Sequence, residues 1–300
     1  MKAVDLFCGC GGMSLGFLNA GFSIACAYDN WESAVKIYGD NFDHKVFQCD
    51  LMQESVIPAI KEQAPEIIIG GPPCQDFSIS GKRNFEGHRA NLTIRFSEIV
   101  CSVKPKWFVM ENVYNIERSP VLQAAISSLK DAGYGITTRV LDASRCGVPQ
   151  ARRRFFMIGL LDAKDDFLGD ILDRHLSVHK MTVYDYLGNA LQTEFYYMHP
   201  RSYLRRAIFS IHEPSATIRG INRPIPQNYK RHPADKADVR DGVRSLTSKE
   251  RSYIQTFPKW FKFEGKKTDV ELAIGNAVPV NLASYVASCI LEYEKEHGGN

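Results

Sequence analysis

The chain has 300 residues, enough to bury most of the surface its unfolded form exposes, so one large domain or two modest ones can fold without disulfides or a structural metal. Apolar residues make up 44% and charged residues 24%, which excludes a disordered chain, and no run approaches the roughly 18 apolar residues of a membrane span. The net charge of +3 is too small by itself to announce nucleic acid as a partner. The eight cysteines show no Cys-x-x-Cys spacing, so they read as reduced thiols and no metal site is expected. Asp5 lies inside the only apolar stretch of the N-terminus, against a secretory signal, and the expected compartment is the cytoplasm.

Short β-rich runs are predicted at Val4–Phe7, Ile24–Tyr28, Val46–Cys49, Ile67–Gly70, Trp107–Met110, Thr137–Leu141 and Phe155–Leu160. Helical patterns at Ser33–Tyr38, Thr93–Val103 and Val121–Ala132 lie between them. This alternation predicts an α/β fold with a doubly wound, mostly parallel sheet, whose ligands bind at the carboxyl ends of the strands. The pattern breaks near residue 180. The stretch from Phe195 to His232 is rich in Pro, Tyr, Arg and His and reads as part of a second, smaller domain. Helical patterns return at Ser248–Thr256 and Val280–Glu294. The expected division is residues 1–180 plus 271–300 for the large domain and 181–270 for the small one.

Four local patterns carry chemistry. In the first, the strand ending at Phe7 runs into Gly9, Gly11 and Gly12 and then a helix. Glycines let a backbone approach a ligand, and a helix start offers unpaired amides. A tight turn explains the same residues, and the spacing is not that of the dinucleotide fingerprint. Asp29 and Asp50 close the second and third strands, where they can accept from ribose hydroxyls or an adenine amine, or simply cap helices. The second pattern is Gly70-Gly71-Pro72-Pro73-Cys74-Gln75, a stiff loop beyond an apolar strand. A thiolate there can serve as a nucleophile, although a lone cysteine is usually a small buried hydrophobe. The third is Glu111-Asn112-Val113, which brings a carboxyl group near Cys74 if the two strands are neighbours. The fourth is Gln150-Ala151-Arg152-Arg153-Arg154, where strand spacing puts Arg152 and Arg154 on one face.

In order and spacing these pieces, with Arg244–Glu250 and Gly275–Val280, resemble the cytosine-5 DNA methyltransferases over nearly the whole chain. The resemblance implies a methyltransferase fold with a target-recognition domain, S-adenosylmethionine as cofactor and double-stranded DNA as partner. It implies that Cys74 adds to carbon 6 of a flipped-out cytosine and that Glu111 bonds the exocyclic amine and ring nitrogen 3. It implies that Arg154 contacts the base oxygen and Arg152 stabilises the loop carrying Cys74. Phe7, Gly9, Gly11 and Leu15 would shape the cofactor pocket, with Asp29 on the ribose, Asp50 on the adenine amine, and Leu51, Leu92 and Asn276 as further pocket positions. One departure is Asn30, which stands where many relatives carry an adenine-stacking aromatic; Trp31 follows one residue later. Small size and little beyond the core motifs look like a bacterial or phage modification enzyme, with which a restriction endonuclease can act separately.

From Phe195 to His232 seven bases face one acid, a local charge of +6, and tyrosines at 196, 197, 203 and 229 are interleaved. As a segment this reads as a DNA-contacting surface; residue by residue, a solvated basic face explains it as well. Arg205 and Arg206 are assigned to phosphate, and Asn222 and Arg223 to base reading. Three rivals stand beside this reading. One is the same chemistry on transfer RNA, whose branch carries a Cys-Phe-Thr insertion not found here. Another is a nucleotide-dependent oxidoreductase, weakened by the missing glycine fingerprint. The third is an inactive DNA-binding regulator, opposed by the intact Cys74, Glu111 and Arg154.

Overall fold

A computed structural model describes residues 1–73, 90–202 and 204–298. Cys74, and Tyr203 of the basic segment, lie outside the described residues. In chain order the first half runs β1 (Lys2–Leu6), α1 (Gly12–Ala20), β2 (Ser23–Asp29), α2 (Glu32–Gly39), β3 (Lys45–Gln48), α3 (Val56–Glu62), β4 (Ile67–Gly70), α4 (Ala90–Val103), β5 (Trp107–Val113), α5 (Pro120–Asp131), β6 (Tyr134–Asp142), β7 (Gln150–Ala151) and β8 (Arg153–Leu161). The second half runs α6 (Gly169–Arg174), α7 (Val183–Leu187), β9 (Phe195–Tyr197), β10 (Ile208–Ser210), β11 (Ser215–Ala216), β12 (Arg244–Ser245), α8 (Ser248–Ile254), α9 (Lys267–Asn276) and α10 (Val280–His297).

Seven strands form one sheet in the order β3-β2-β1-β4-β5-β8-β6. All neighbours are parallel except that β8 is antiparallel to both β5 and β6. Both faces are buried, as the apolar runs require. Along β4, Ile67 and Ile69 point into one core with Phe17 and Ile290, while Ile68 points into the other with Phe96 and Leu129. Trp107/Val109 against Phe108/Met110 on β5 repeat the alternation. Helices α1, α6 and α10 cover the first face and α3, α4 and α5 the second. The sheet is therefore doubly wound. Its order reverses between β1 and β4, and there the carboxyl ends leave a crevice.

The last helix, α10, packs along α1. The stretch from Lys267 to His297 is long and apolar enough by composition to cross a membrane, but 67% of its most apolar 18-residue window is buried within this fold. Between α7 and α8 the described residues make short pairings, β10-β9-β12 in one sheet and β11 with β7 in another. Their side chains join a core shared with the first domain: Cys10, Leu15 and Ile37 pack with Tyr196, Phe209, Ile218 and Ile254. The boundary expected at residue 270 falls inside α9, which packs on both α8 and α2. Two helix starts carry side-chain caps. The Ser119 hydroxyl accepts from the Val121 amide ahead of α5, and Thr247 with Glu250 forms a capping box on α8. Glu250 also accepts two bonds from Arg244, at 2.6 and 2.8 Å, which ties β12 to that helix.

Candidate active site

A cavity of about 840 Å³ opens at the switch point, within the range of cofactor and ligand sites. Phe7 forms part of its wall in a left-handed conformation, φ 58°, followed by Gly9 at 54° and Gly11 at 92°. A bulky residue in that region costs on the order of 1–3 kcal/mol and persists where the surroundings impose it. The turn swings the chain from β1 into α1. Gly9 lines the cavity. Gly11 does not: a Cβ there would lie 2.3 Å from the Phe42 ring, so packing requires this glycine. Leu15, also expected at the pocket, points away into the core shared with Ile37 and Tyr196.

The two strand-end acids differ. Both Asp29 oxygens are engaged by backbone amides, Gly9 at 2.8 Å and Trp31 at 2.9 Å, so Asp29 clamps the glycine turn to the end of β2. Burial nevertheless pushes its carboxyl upward, against the pull of those amides. Asn30 and Trp31 both line the cavity, so an aromatic is present at the wall although displaced by one residue from the expected position. Asp50 is exposed at the rim and accepts from the Met52 amide at 3.0 Å; Leu51, Leu92 and Asn276 line the same space.

The opposite wall carries the charged cluster. Glu111, near the carboxyl end of β5, is 8% exposed and its Oε1 lies 2.9 Å from Arg154 Nε. Antiparallel pairing of β5 with β8 sets Val113 opposite Arg154 and creates this contact. Arg152 and Arg154 share the cavity side, while Arg153 points outward over the Tyr114 ring at 4.9 Å, as the alternation predicts. Burial raises the Glu111 carboxyl, with Arg154 and then Arg152 opposing the shift. Burial and the nearby Arg154 charge depress Arg152 strongly, against the opposing pull of Glu111. Asn112, a motif residue with no assigned role, donates to the Pro72 carbonyl at 2.9 Å and so fastens β5 to the loop that leads to residue 74.

Arg152 donates to three carbonyls, Ile218 at 2.9 Å and Gly275 and Ala277 at 3.1 Å. Gln150 donates to Gln255 at 2.7 Å and accepts from the Ile218 amide at 2.9 Å, while Gln255 donates to Ile274 and Ala277. This buried network joins the Gln150–Arg154 motif, the small domain and the segment carrying Asn276. The expected role of Arg152 toward Cys74 falls on a residue outside the described ones.

A sequence profile of the family described as C-5 cytosine-specific DNA methylase matches residues 1–292. The chain belongs to the C-5 cytosine-specific DNA methylases. As a member of that family it is a DNA cytosine-5-methyltransferase. It is 57% identical over 298 residues to the Type II methyltransferase M.HindV of Haemophilus influenzae, spanning 99% of this chain and 98% of that protein. It is 53% identical over 294 residues to the Type II methyltransferase M.HgiDI of Herpetosiphon aurantiacus, spanning 98% and 95%. In fold it is similar to the Dnmt2 methyltransferase of S. pombe, with a TM-score of 0.74 at 18% identity over 97% of this chain and 98% of that one. It is also similar to the methyltransferase EhMeth of Entamoeba histolytica, with a TM-score of 0.69 at 18% identity over 100% and 99%.

The residues expected to contact DNA lie between Arg205 and Arg223. Arg205 and Arg223 are exposed. Arg206 is held by Glu213 through two bonds, 3.0 and 2.8 Å, and lies 4.3 Å over the Phe209 ring. The Asn222 amide donates to the Leu246 carbonyl and to Glu271 at 2.8 and 3.0 Å. Bidentate reading of an adenine edge needs that amide as donor, so the two neighbours Asn222 and Arg223 are not equivalent. Among the described residues no group of three or more His, Cys, Asp or Glu side chains is placed to hold a metal ion.

Proposed function

We propose that this chain transfers a methyl group from S-adenosylmethionine to carbon 5 of cytosine within a specific double-stranded DNA sequence, through covalent addition of Cys74 to a flipped-out base. The observation that carries this reading is the continuity of one cavity from the glycine turn at Gly9, past Asp50 and Asn276, to the Glu111–Arg154 pair. The glycine-turn end is acidic and has the aromatic Trp31 at its wall, which suits a cationic adenosyl cofactor. The other end presents a carboxyl group and two guanidinium groups, which suit the edge of a pyrimidine.

Addition of the Cys74 thiolate forms a bond to carbon 6 and moves the ring electron pair toward carbon 5. Glu111, with its carboxyl raised by burial, bonds the exocyclic amine and shares a proton with nitrogen 3, which stabilises the added ring. Arg154 donates to the base oxygen. When bound, S-adenosylmethionine supplies an electrophilic methyl group to carbon 5. Transfer of the carbon 5 proton to solvent, with the C–H electron pair re-forming the ring double bond and expelling the thiolate, restores the aromatic ring. A stacked base cannot reach the cavity, so the target leaves the helix.

Residues 1–180 and 271–300 act as the catalytic and cofactor domain and residues 181–270 as the target-recognition domain, locked together by Arg152, Gln150 and Gln255. Arg205 contacts phosphate and Arg223 reads a base edge. The setting is a modification system in the cytoplasm, beside a separately acting restriction endonuclease. DNA containing 5-fluorocytosine tests the chemistry, because fluorine cannot leave carbon 5 as a cation. With S-adenosylmethionine the wild type forms an adduct that survives denaturation, and Cys74→Ser does not. An adduct formed by the serine variant removes Cys74 as the nucleophile.

A further inference from the structure

The Gln150–Arg154 motif holds three arginines, and the roles above use two of them. Arg152 and Arg154 line the cavity. Arg153 stands between them and is exposed, its guanidinium carbon 4.9 Å from the centre of the Tyr114 ring. That ring is its one side-chain contact among the described residues, and no acid pairs with it. The acid set opposite Arg153 on β6 is Asp142. This carboxylate is committed elsewhere. Its Oδ1 accepts from the amide and the hydroxyl of Ser144, at 3.1 and 2.8 Å, and its Oδ2 lies 3.4 Å from Lys180 Nζ.

Tyr114 opens the short turn Tyr114–Arg118 that follows β5, and 40% of it is exposed. The turn itself is anchored, because Ile116 is fully buried in the core that holds Leu122 and Tyr134. An aromatic face beneath a guanidinium fixes its plane and leaves its N–H edge free to donate. The stack stands at the rim of the pyrimidine end of the cavity. Val113, the residue before Tyr114, lines the cavity and pairs with Arg154 across the two strands. Arg154 also donates to the Arg153 carbonyl at 2.8 Å. Consecutive Cα atoms are about 3.8 Å apart, so the guanidinium aimed at the base and the one stacked outside spring from one short piece of backbone.

We propose that Arg153, held flat on Tyr114, binds a DNA phosphate next to the flipped cytosine. This rests on the base-flipping reading above. A base that leaves the helix remains joined to its sugar and to the phosphates on either side. A cytosine seated at Glu111 and Arg154 therefore brings those phosphates to the rim beside it. There a phosphate meets a planar fork of donors that no acid of the described residues occupies. Such a contact carries no sequence information; it fixes where the strand lies. Arg153 thus holds the backbone of the extruded nucleotide while Arg154, one residue on, faces its base.

Methylphosphonate DNA tests this, because it removes the charge of one phosphate at a time. Binding of the wild type and of Arg153→Ala is measured on a duplex carrying the site that the wild type methylates. The duplex is used unmodified, neutralised at the 5′ or the 3′ phosphate of the target cytosine, or neutralised at a remote phosphate. On unmodified DNA, Arg153→Ala should bind about tenfold more weakly, with a salt slope lower by about 1 and an unchanged methylation site. Neutralising one of the two flanking phosphates should cost the wild type about tenfold but Arg153→Ala less than about twofold, whereas remote neutralisation should cost both alike. Tyr114→Leu should weaken binding by about threefold, and Tyr114→Phe, which keeps the ring, should match the wild type. Equal losses for wild type and Arg153→Ala on every modified duplex, or an unchanged salt slope in Arg153→Ala, overturn the phosphate contact. Wild-type binding in Tyr114→Leu overturns the part given to the stack. A wild type that forms no adduct with 5-fluorocytosine DNA overturns the base-flipping reading itself, a failure separate from these binding results.

Discussion

Replacing Glu111 by glutamine keeps its volume and one acceptor oxygen but removes the only acid paired with Arg154 among the described residues. The pair is 2.9 Å long, with 14% and 10% of the two side chains exposed, and Arg152 beside it is 2% exposed. Breaking one partner of such a pair costs about 3–5 kcal/mol, because the other charge stays buried without compensation. The two sides of the pair are not symmetric. Arg154→Met strands a carboxyl that burial already pushes toward its neutral form, so Glu111 can take up a proton and limit the loss. Guanidinium groups have no such escape. Glu111→Gln should therefore be the more destabilising single substitution, and Arg154→Met should become less harmful as pH falls. The double variant should be more stable than the two single losses predict, with a coupling of about 2 kcal/mol, inside the range seen for contacting residues. Urea denaturation of all four proteins with a common m-value measures the cycle. Additivity within about 0.5 kcal/mol, or a larger loss in Arg154→Met than in Glu111→Gln, would refute the argument.

Three further substitutions probe the 181–270 segment and its seam. Arg205→Ala should lower the salt slope of DNA binding by about 1 with unchanged stability, whereas Arg206→Ala, which strands Glu213 and uncovers Phe209, should destabilise the fold and leave the salt slope nearly intact; equal slopes lost in both would contradict the assignment. Gly275→Ala would place a Cβ 2.1 Å from the Gly220 nitrogen, a backbone atom that cannot rotate away, so a loss of about 1–3 kcal/mol in urea melts is expected, and wild-type stability would show that the seam is loose.

The large domain is legible in the sequence because its physics is local. Seven apolar runs become the seven strands of the main sheet, with ends shifted by a few residues: Thr137–Leu141 extends to Tyr134–Asp142, and Phe155–Leu160 to Arg153–Leu161. The strand spacing of Arg152 and Arg154 holds for the same reason, since alternation is a property of the backbone. The short strands β9 to β12 carry no period to read, being two or three residues each and held by the shared core. Helix α9 hides because its polar residues face several directions and its cap, Lys266, makes no side-chain bond. At the site, partners decide what residue type alone leaves open. Arg206 and Asn222 are polar residues in a basic loop by sequence, and only their contacts with Glu213 and Glu271 show them committed within the protein. Leu15 and Gly11 sit in the glycine motif, yet one serves the core and the other the Phe42 ring.

The buried seam between the Gln150–Arg154 motif and the Ile218–Gly220 segment rests on a few side chains. Ile218 lies between β11 and the Arg219–Gly220 segment, and its carbonyl and amide are held by Arg152 and by Gln150. Arg152 also holds the carbonyls of Gly275 and Ala277, on either side of the cavity residue Asn276. Gly220 in turn packs directly on Leu272 and Gly275. The Arg219–Arg223 segment is thus joined to the backbone on either side of Asn276 through carbonyls held by a single guanidinium. Buried arginines without a directly paired acid are costly, and burial depresses Arg152 accordingly. Its three hydrogen bonds fix a geometry that an apolar contact would leave free to slide, and here the geometry fixed is the relation of Ile218 to the Gly275–Ala277 backbone.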